Sequence, residues 1–281
     1  MGSVLAESED LTPSYWDEVI DQFNRAPRLD VWRQYMRGVY LRLMDGWLPL
    51  DRGGGLKTDL FEEAVTPYVL LPQMGLHSVG IDCSPAIAMA AKRRLEAGGT
   101  SCCILIGDLR HLPIRASSLT YVLSGSSLDH FHRHDEIAVC LAELHRVLQP
   151  GAPAIFTFDN PHNPFVWLRN RLPFKWLNRV HLVPYYVGAT YTRKMARQQL
   201  EAAGFEVTGI TAVVHAPRAA VIALLSLSER LGWRRPSTVI PRLLDAFEKL
   251  QYLPTRYRTG CYIACHARKL RESSSAITRM C

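Results

Sequence analysis

The chain has 281 residues, 48% of them apolar, with 33 basic and 26 acidic side chains for a formal net charge of +7. These figures fit one globular domain with room for an added lid and exclude a fibrous or largely disordered chain. No apolar run reaches the roughly 18 residues that span a bilayer, and residues 1–10 carry acids where a signal peptide carries bases, so a cytoplasmic protein is expected. Seven cysteines without a CxxC pair argue for reduced thiols and against a zinc site or a disulfide framework, and no metal is expected. The basic excess is concentrated near Arg169 to Arg179, Arg230 to Arg235 and Arg256 to Arg271, which permits an anionic partner without naming one.

In residues 11–48, Tyr15, Trp16, Val19, Ile20 and Phe23, then Val31, Trp32, Tyr35, Met36, Tyr40, Leu41 and Leu43, fall at helical spacing. Two helices broken at Ala26-Pro27 are predicted. Their apolar faces are too wide for isolated surface helices, so residues 11–50 are expected to pack on, or close as a lid over, a body spanning 51–270. Gly53, Gly54 and Gly55 match neither GxGxxG nor GxxxxGKS. They read as a turn into a strand over 56–58, after which Asp59 can cap a helix over 60–64. Lys57, Thr58 and Asp59 then fall at a strand-to-helix corner.

The most informative stretch is HSVGIDCSP, residues 77–85. Val79 and Ile81 are β-formers, Gly80 permits close approach, and Asp82 stands where the apolar run stops. Ser84 can cap, and Pro85 can begin, a helix that Gly98 and Gly99 end. Asp82 is thereby placed at the carboxyl end of a strand, where it either accepts two ribose hydroxyls or only favours the positive helix N-terminus. Residues 102–107 predict a buried strand ended by Asp108. Residues 119–124 predict a fourth strand that opens into a histidine-rich loop ending at His134. Asp135 is then expected to cap an amphipathic helix that Pro150-Gly151 ends, and residues 154–158 form a fifth strand finishing at Asp159-Asn160. Strand and helix alternate, which argues a parallel sheet covered on both faces, with a crevice at the strands' carboxyl ends.

Residues 161–186 interrupt that alternation, mixing Phe165, Trp167, Leu168, Phe174 and Trp176 with Arg169, Arg171, Lys175 and Arg179. This helical insertion is either a lid on the body or a contact for a membrane surface or an anionic, lipid-like molecule. Helices over 192–203, 219–231 and 241–250 and strands over 205–214 and 261–267 complete the body. The final two strands are expected to pair antiparallel with the last at the edge, and 271–281 to form a flexible tail.

From Gly53 to Lys269 the element order and the corner residues resemble a class I S-adenosylmethionine-dependent methyltransferase. VGIDCSPAIAMAAKRR is similar to the family's second motif and IGDLRHLPI to its third. LTYVLSGSSLDHF and ELHRVLQPGAPAIFTFDNP are similar to the strand, helix and proline-glycine turn that follow. The resemblance implies an α/β fold with a doubly wound, seven-stranded Rossmann-like sheet whose last strand is antiparallel, and S-adenosyl-L-methionine as cofactor. It places Asp82 and the adjacent Cys83 at the ribose, Asp108 at the adenine amino group, Leu109 beside the ring, and Ser124 and Gly125 on the cofactor side of the fourth strand. The first motif departs: LKTDLFEEA stands where an acid and a GxGxG loop are usual. Lys57, Thr58 and Asp59 are expected to fill that corner, Lys57 meeting the cofactor's carboxylate and Asp59 its amino group. Thr120 also replaces a frequent acid.

Methyl transfer to a small-molecule or lipid-like acceptor of secondary metabolism is the function implied. His130 is the expected general base and Asp129 the residue that orients it. Asp159, Asn160, Trp167 and Tyr186 are the expected acceptor contacts. Nucleic acid is not expected as a partner, because the basic patches lack a separable stacking platform. The altered first motif motivates a rival, a methyltransferase-fold protein that has lost transfer and acts as a cofactor-sensing or partner-binding module.

Overall fold

Seven short segments pair into one sheet, all but the first carrying β-branched or aromatic residues: β1 (Gly55–Lys57), β2 (Val79–Asp82), β3 (Cys103–Ile106), β4 (Tyr121–Ser124), β5 (Pro153–Asp159), β6 (Phe205–Val213) and β7 (Tyr262–Lys269). The computed structural model describes residues 12–23, 30–48, 53–75, 77–179, 183, 186–230 and 236–271; the Ala26-Pro27 break, residues 1–10 and 272–281 of the tail lie outside them. Strand order is β3-β2-β1-β4-β5-β7-β6, parallel except that β7 runs antiparallel to both β5 and β6.

Two expectations are corrected here. The last strand is not at the edge: β7 inserts between β5 and β6, pairing Ile155 with His266 on one side and Ile210 with Cys265 on the other, and β6 is the edge. Four of its residues, Ile263, Ala264, Cys265 and Ala267, are fully buried, which a central position explains. The strand before Asp108 is the opposite edge instead of a buried element, with Cys103 exposed and Ile106 53% exposed.

Two glycines are required by close approach. A Cβ on Gly55 would lie 2.2 Å from the Tyr121 ring, and one on Gly80 would lie 2.4 Å from Leu60, the residue that closes the first corner over β2.

The helices are α1 (Pro13–Phe23), α2 (Asp30–Trp47), α3 (Phe61–Val65), α4 (Pro85–Ala97), α5 (His134–Val147), α6 (Pro164–Arg169), α7 (Phe174–Arg179), α8 (Arg193–Ala202), α9 (Arg218–Arg230), α10 (Pro236–Glu248) and α11 (Arg256–Thr259). Ser84 caps α4 by accepting from the Ile87 N–H at 3.0 Å, and Thr192 caps α8 in the same way. Asp135 does not cap α5. It lies inside the first turn and pairs with Arg133, while Glu136 reaches back to the Arg133 N–H at 3.3 Å. Pro241 lies inside α10 instead of starting it.

Side chains alternate along each strand between two cores. Tyr121, Leu123 and Ile155 join α1, α2, α4, α9 and α10 on one face, and Val122, Phe156 and Phe158 join α5 and α8 on the other. The N-terminal helices therefore belong to the main core, with α1 against α4 and α2 against α10 and β5.

Candidate functional site

A cavity of about 570 Å³ opens at the carboxyl ends of the parallel strands. Register brings its floor together: Lys57 of β1 lies beside Gly80 of β2 and Leu123 of β4, and Asp82 lies beside Ile106. The corners after these strands supply Thr58 and Asp59, Asp82 and Cys83, Asp108 and Leu109, and Gly125, Ser126 and Ser127 to its lining. Trp16 of α1 and Trp32, Arg33 and Tyr40 of α2 wall it from above. Asp17 of α1 accepts from the Ser84 hydroxyl and the Tyr15 hydroxyl from the Tyr186 N–H, so the wall is tied to the body.

Asp82 takes the Ser84 N–H on one oxygen at 2.9 Å and the Leu60 N–H on the other at 3.0 Å. These two donors set the carboxylate's plane and leave acceptor capacity on each oxygen. Burial, and next the charge of Asp59, pushes its carboxyl up to about 7. Asp108 is held by Arg110 through a forked pair, closest at 2.7 Å, and Arg110 also reaches Glu136 at 3.1 Å. Burial raises the Asp108 carboxyl, but the Arg110 hydrogen bonds outweigh it and the net shift is downward. Cys83 lines the same wall, its thiol pushed up to about 12 chiefly by burial.

The first corner is built on a buried ion pair. The Lys57 ammonium donates to Glu63 at 2.8 Å and to the Asp59 carbonyl, with the Asp59 carboxylate at 3.8 Å. Glu63 is fully buried and also accepts the Leu70 and Leu71 N–H groups. Burial disfavours the Lys57 charge, but Glu63 and then Asp59 outweigh it and hold the ammonium protonated. Asp59 accepts the Phe61 N–H at 2.9 Å and so shapes the entry to α3. Thr58 donates to Ser124 at 3.0 Å and contacts Ser127 at 2.6 Å, a hydroxyl cluster under the floor that keeps Ser124 fully buried.

His130 lines the cavity against the edge of Trp16, ring centroids 4.6 Å apart, and its Nδ1 meets the Tyr186 carbonyl at 3.2 Å. Burial lowers its pKa and favours the neutral imidazole. The group that orients it is that carbonyl. Asp129 is turned into the interior, 2% exposed, where burial and then Asp159 raise its carboxyl well above its ordinary value. Asp159 pairs with Arg169, and Asn160 donates to the Tyr257 and Gly260 carbonyls at 2.8 Å. Neither lines the cavity. Trp167 is 47% exposed on the outer surface under the Arg171 guanidinium, and the Tyr186 ring packs on His132 and Phe174 behind the wall.

Sequence reasoning passed over Trp16, Trp32, Arg33, Tyr40 and Glu62, all cavity liners. The signal available was an arginine, Arg33, set between the aromatic residues Trp32 and Tyr35 of α2. Among the described residues, no group of three or more His, Cys, Asp or Glu could hold a metal, and no helix is long and apolar enough to cross a membrane.

Residues 64–156 match a family described as a methyltransferase domain. A malonyl-[acyl-carrier protein] O-methyltransferase of Dechloromonas aromatica (strain RCB) is 37% identical over 75 residues, 27% of this chain and 24% of that relative. The aligned stretch thus spans about a quarter of the curated relative's length. Among solved structures, an S-adenosylmethionine-dependent methyltransferase of Thermotoga maritima superposes with a TM-score of 0.57 at 14% identity, over 91% of this chain and 98% of that one. The geranyl diphosphate C-methyltransferase of Streptomyces coelicolor A3(2), solved with S-adenosyl-L-homocysteine, does so at 0.53 and 15% identity, over 83% and 79%. Domain match, strand order and neighbours agree: residues 64–156 match a methyltransferase domain, and the chain has the fold of class I S-adenosylmethionine-dependent methyltransferases.

Proposed function

We propose that this chain transfers a methyl group from S-adenosylmethionine to a small, lipid-like acceptor. One observation carries the reading: Asp82 and Asp108, at the ends of neighbouring strands, share a cavity that Trp16, Trp32 and Tyr40 wall from above. The residues present fit the cofactor. Asp82 offers oxygens already aimed by backbone donors to a ribose diol, Asp108 can accept from an adenine amino group, and Leu109 offers an apolar surface to the base. The cofactor supplies an electrophilic methyl on a sulfonium; the protein has to align the acceptor with it and exclude water.

Trp16, Trp32 and Tyr40 would enclose an apolar acceptor and keep water out. His130, neutral and held by the Tyr186 carbonyl, would accept the proton released by a hydroxyl or amine acceptor. The relatives' names support an acceptor of this class, since one acts on malonyl-[acyl-carrier protein] and another on geranyl diphosphate. Contact with an anionic membrane surface through residues 161–186 would supply such a molecule.

The test is transfer of labelled methyl from S-adenosylmethionine to malonyl-thioester, prenyl-diphosphate and fatty-acid probes, alongside calorimetric titration with S-adenosylhomocysteine. Label in an extractable product supports the enzyme, and the absence of cofactor binding overturns it. Binding with no transfer to any probe favours the cofactor-sensing module instead. For an active probe with a hydroxyl or amine acceptor, His130→Gln should lower kcat by about 10²-fold or more while cofactor affinity holds. An unchanged kcat would remove His130 from the chemistry.

A further inference from the structure

Of the charged side chains on the cavity wall, Arg33, Arg37, Glu62 and Arg218 have no role in the account above, and two of them lie side by side. Arg33, on α2, is 5% exposed, and Glu62 lies in the first turn of α3; both line the cavity. They face each other with Arg33 Nε 3.6 Å from Glu62 Oε2, beyond hydrogen-bond reach, and Arg33 meets Asp30 no more closely than 3.5 Å. Among the described residues, Arg33 Nη2 and Glu62 Oε2 are buried atoms without a hydrogen-bond partner. The Glu62 side chain nevertheless keeps 42% of its surface accessible, so that a group inside the cavity can reach it. A buried donor and a buried acceptor left open side by side each cost roughly 1–3 kcal/mol, which a ligand bearing both charges would offset.

Of the other charged groups on the wall, Arg37 donates to the Val69 carbonyl at 2.9 Å, and Arg218 Nε is open but, among the described residues, has no acid set beside it as Arg33 has Glu62. Lys57 is bound to Glu63 and to the Asp59 carbonyl, and Asp59 accepts the Phe61 N–H. We propose that Arg33 and Glu62 clamp the zwitterionic amino-acid end of the cofactor, the guanidinium taking its carboxylate and the Glu62 carboxylate its ammonium. This assignment differs from the roles that the sequence suggests for Lys57 and Asp59, and it rests on S-adenosylmethionine being the cofactor. It also accounts for the missing glycine loop. The methionine moiety is gripped from the side of the wall, by α2 and α3, and does not need a floor of bare backbone.

S-Adenosylhomocysteine keeps both charged groups, and 5′-methylthioadenosine lacks both. Calorimetric titration of the two ligands against the unaltered chain, Arg33→Gln and Glu62→Gln separates the clamp from a merely structural role. Each substitution should weaken S-adenosylhomocysteine by about tenfold or more while 5′-methylthioadenosine stays within about twofold, which also serves as the folding control. The double substitution should bring the two affinities together. Variants that bind S-adenosylhomocysteine as well as the unaltered chain does, as they would if Arg33 served an anionic acceptor, overturn the clamp alone, and so do equal losses for both ligands. An unaltered chain that binds neither ligand overturns the cofactor reading and the clamp with it.

Discussion

Asp82 is half-buried, with both oxygens on backbone N–H groups, yet desolvation and the nearby Asp59 charge push its carboxyl up to about 7. Lys57 acts against that rise, and the donors from Leu60 and Ser84 only moderate it. Because its folded pKa lies above the unfolded one, the folded chain retains a proton that the unfolded chain has released, between the ordinary carboxylate range and about 7. Stability therefore falls as pH rises through that window. Asp82→Asn should match the unaltered chain below about pH 4 and exceed it in thermal midpoint near about pH 8. A difference that does not change with pH would show that the group is ionised throughout. For ligand binding the direction reverses, since a ribose diol needs acceptors: Asp82→Ala should weaken S-adenosylhomocysteine by about tenfold or more.

Between β1 and α3 the chain replaces a flexible glycine turn with a corner pinned by a charge pair. Glu63 takes Lys57 at 2.8 Å and two backbone N–H groups from the segment after α3, so one carboxylate ties the floor of the site to the next element. Removing one partner leaves an uncompensated buried charge, for which about 3–5 kcal/mol is expected. Glu63→Leu should lower unfolding free energy in urea by that order, and Lys57→Met with Glu63→Leu should recover a large part of it. A single substitution that costs no more than a surface change would mean that the pair is solvated. After β5, at the same carboxyl edge of the sheet, α6 and α7 leave Phe165, Trp167, Leu168 and Trp176 about half exposed or more. Residues 161–200 hold seven Lys or Arg and no Asp or Glu. Aromatic side chains interleaved with bases suit an anionic bilayer surface, where each exposed base contributes about 1 kcal/mol. The protein should sediment with vesicles containing phosphatidylglycerol and not with phosphatidylcholine alone, and Trp176→Ala with Arg171→Glu should reduce the bound fraction. Equal sedimentation with both vesicles, or with neither, would leave these helices as a simple cover.

Across the whole molecule, what the sequence determined by itself are the features set within a few residues of chain. The short apolar runs of β2 and β4, the Ser84 cap with Pro85 behind it, and the acids at the strand ends follow from neighbours in sequence, and the alternation of elements implied the parallel sheet. Tertiary structure decided whatever depends on partners far along the chain. Position in a sheet is fixed by backbone pairing between distant strands, so the exposed β3 and the central β7 could not be read from their apolar content alone. Side-chain partners follow the same logic. His130 turns to a carbonyl 56 residues away while its neighbour Asp129 faces inward to Asp159, because adjacent residues of a tight turn point in different directions. Lys57 is drawn to Glu63 because a buried ammonium must be paired where it lies, and Arg33 reaches the cavity only because α2 packs across the sheet. Desolvation, which exists only once the chain has folded, selects among the charges that sequence can merely enumerate.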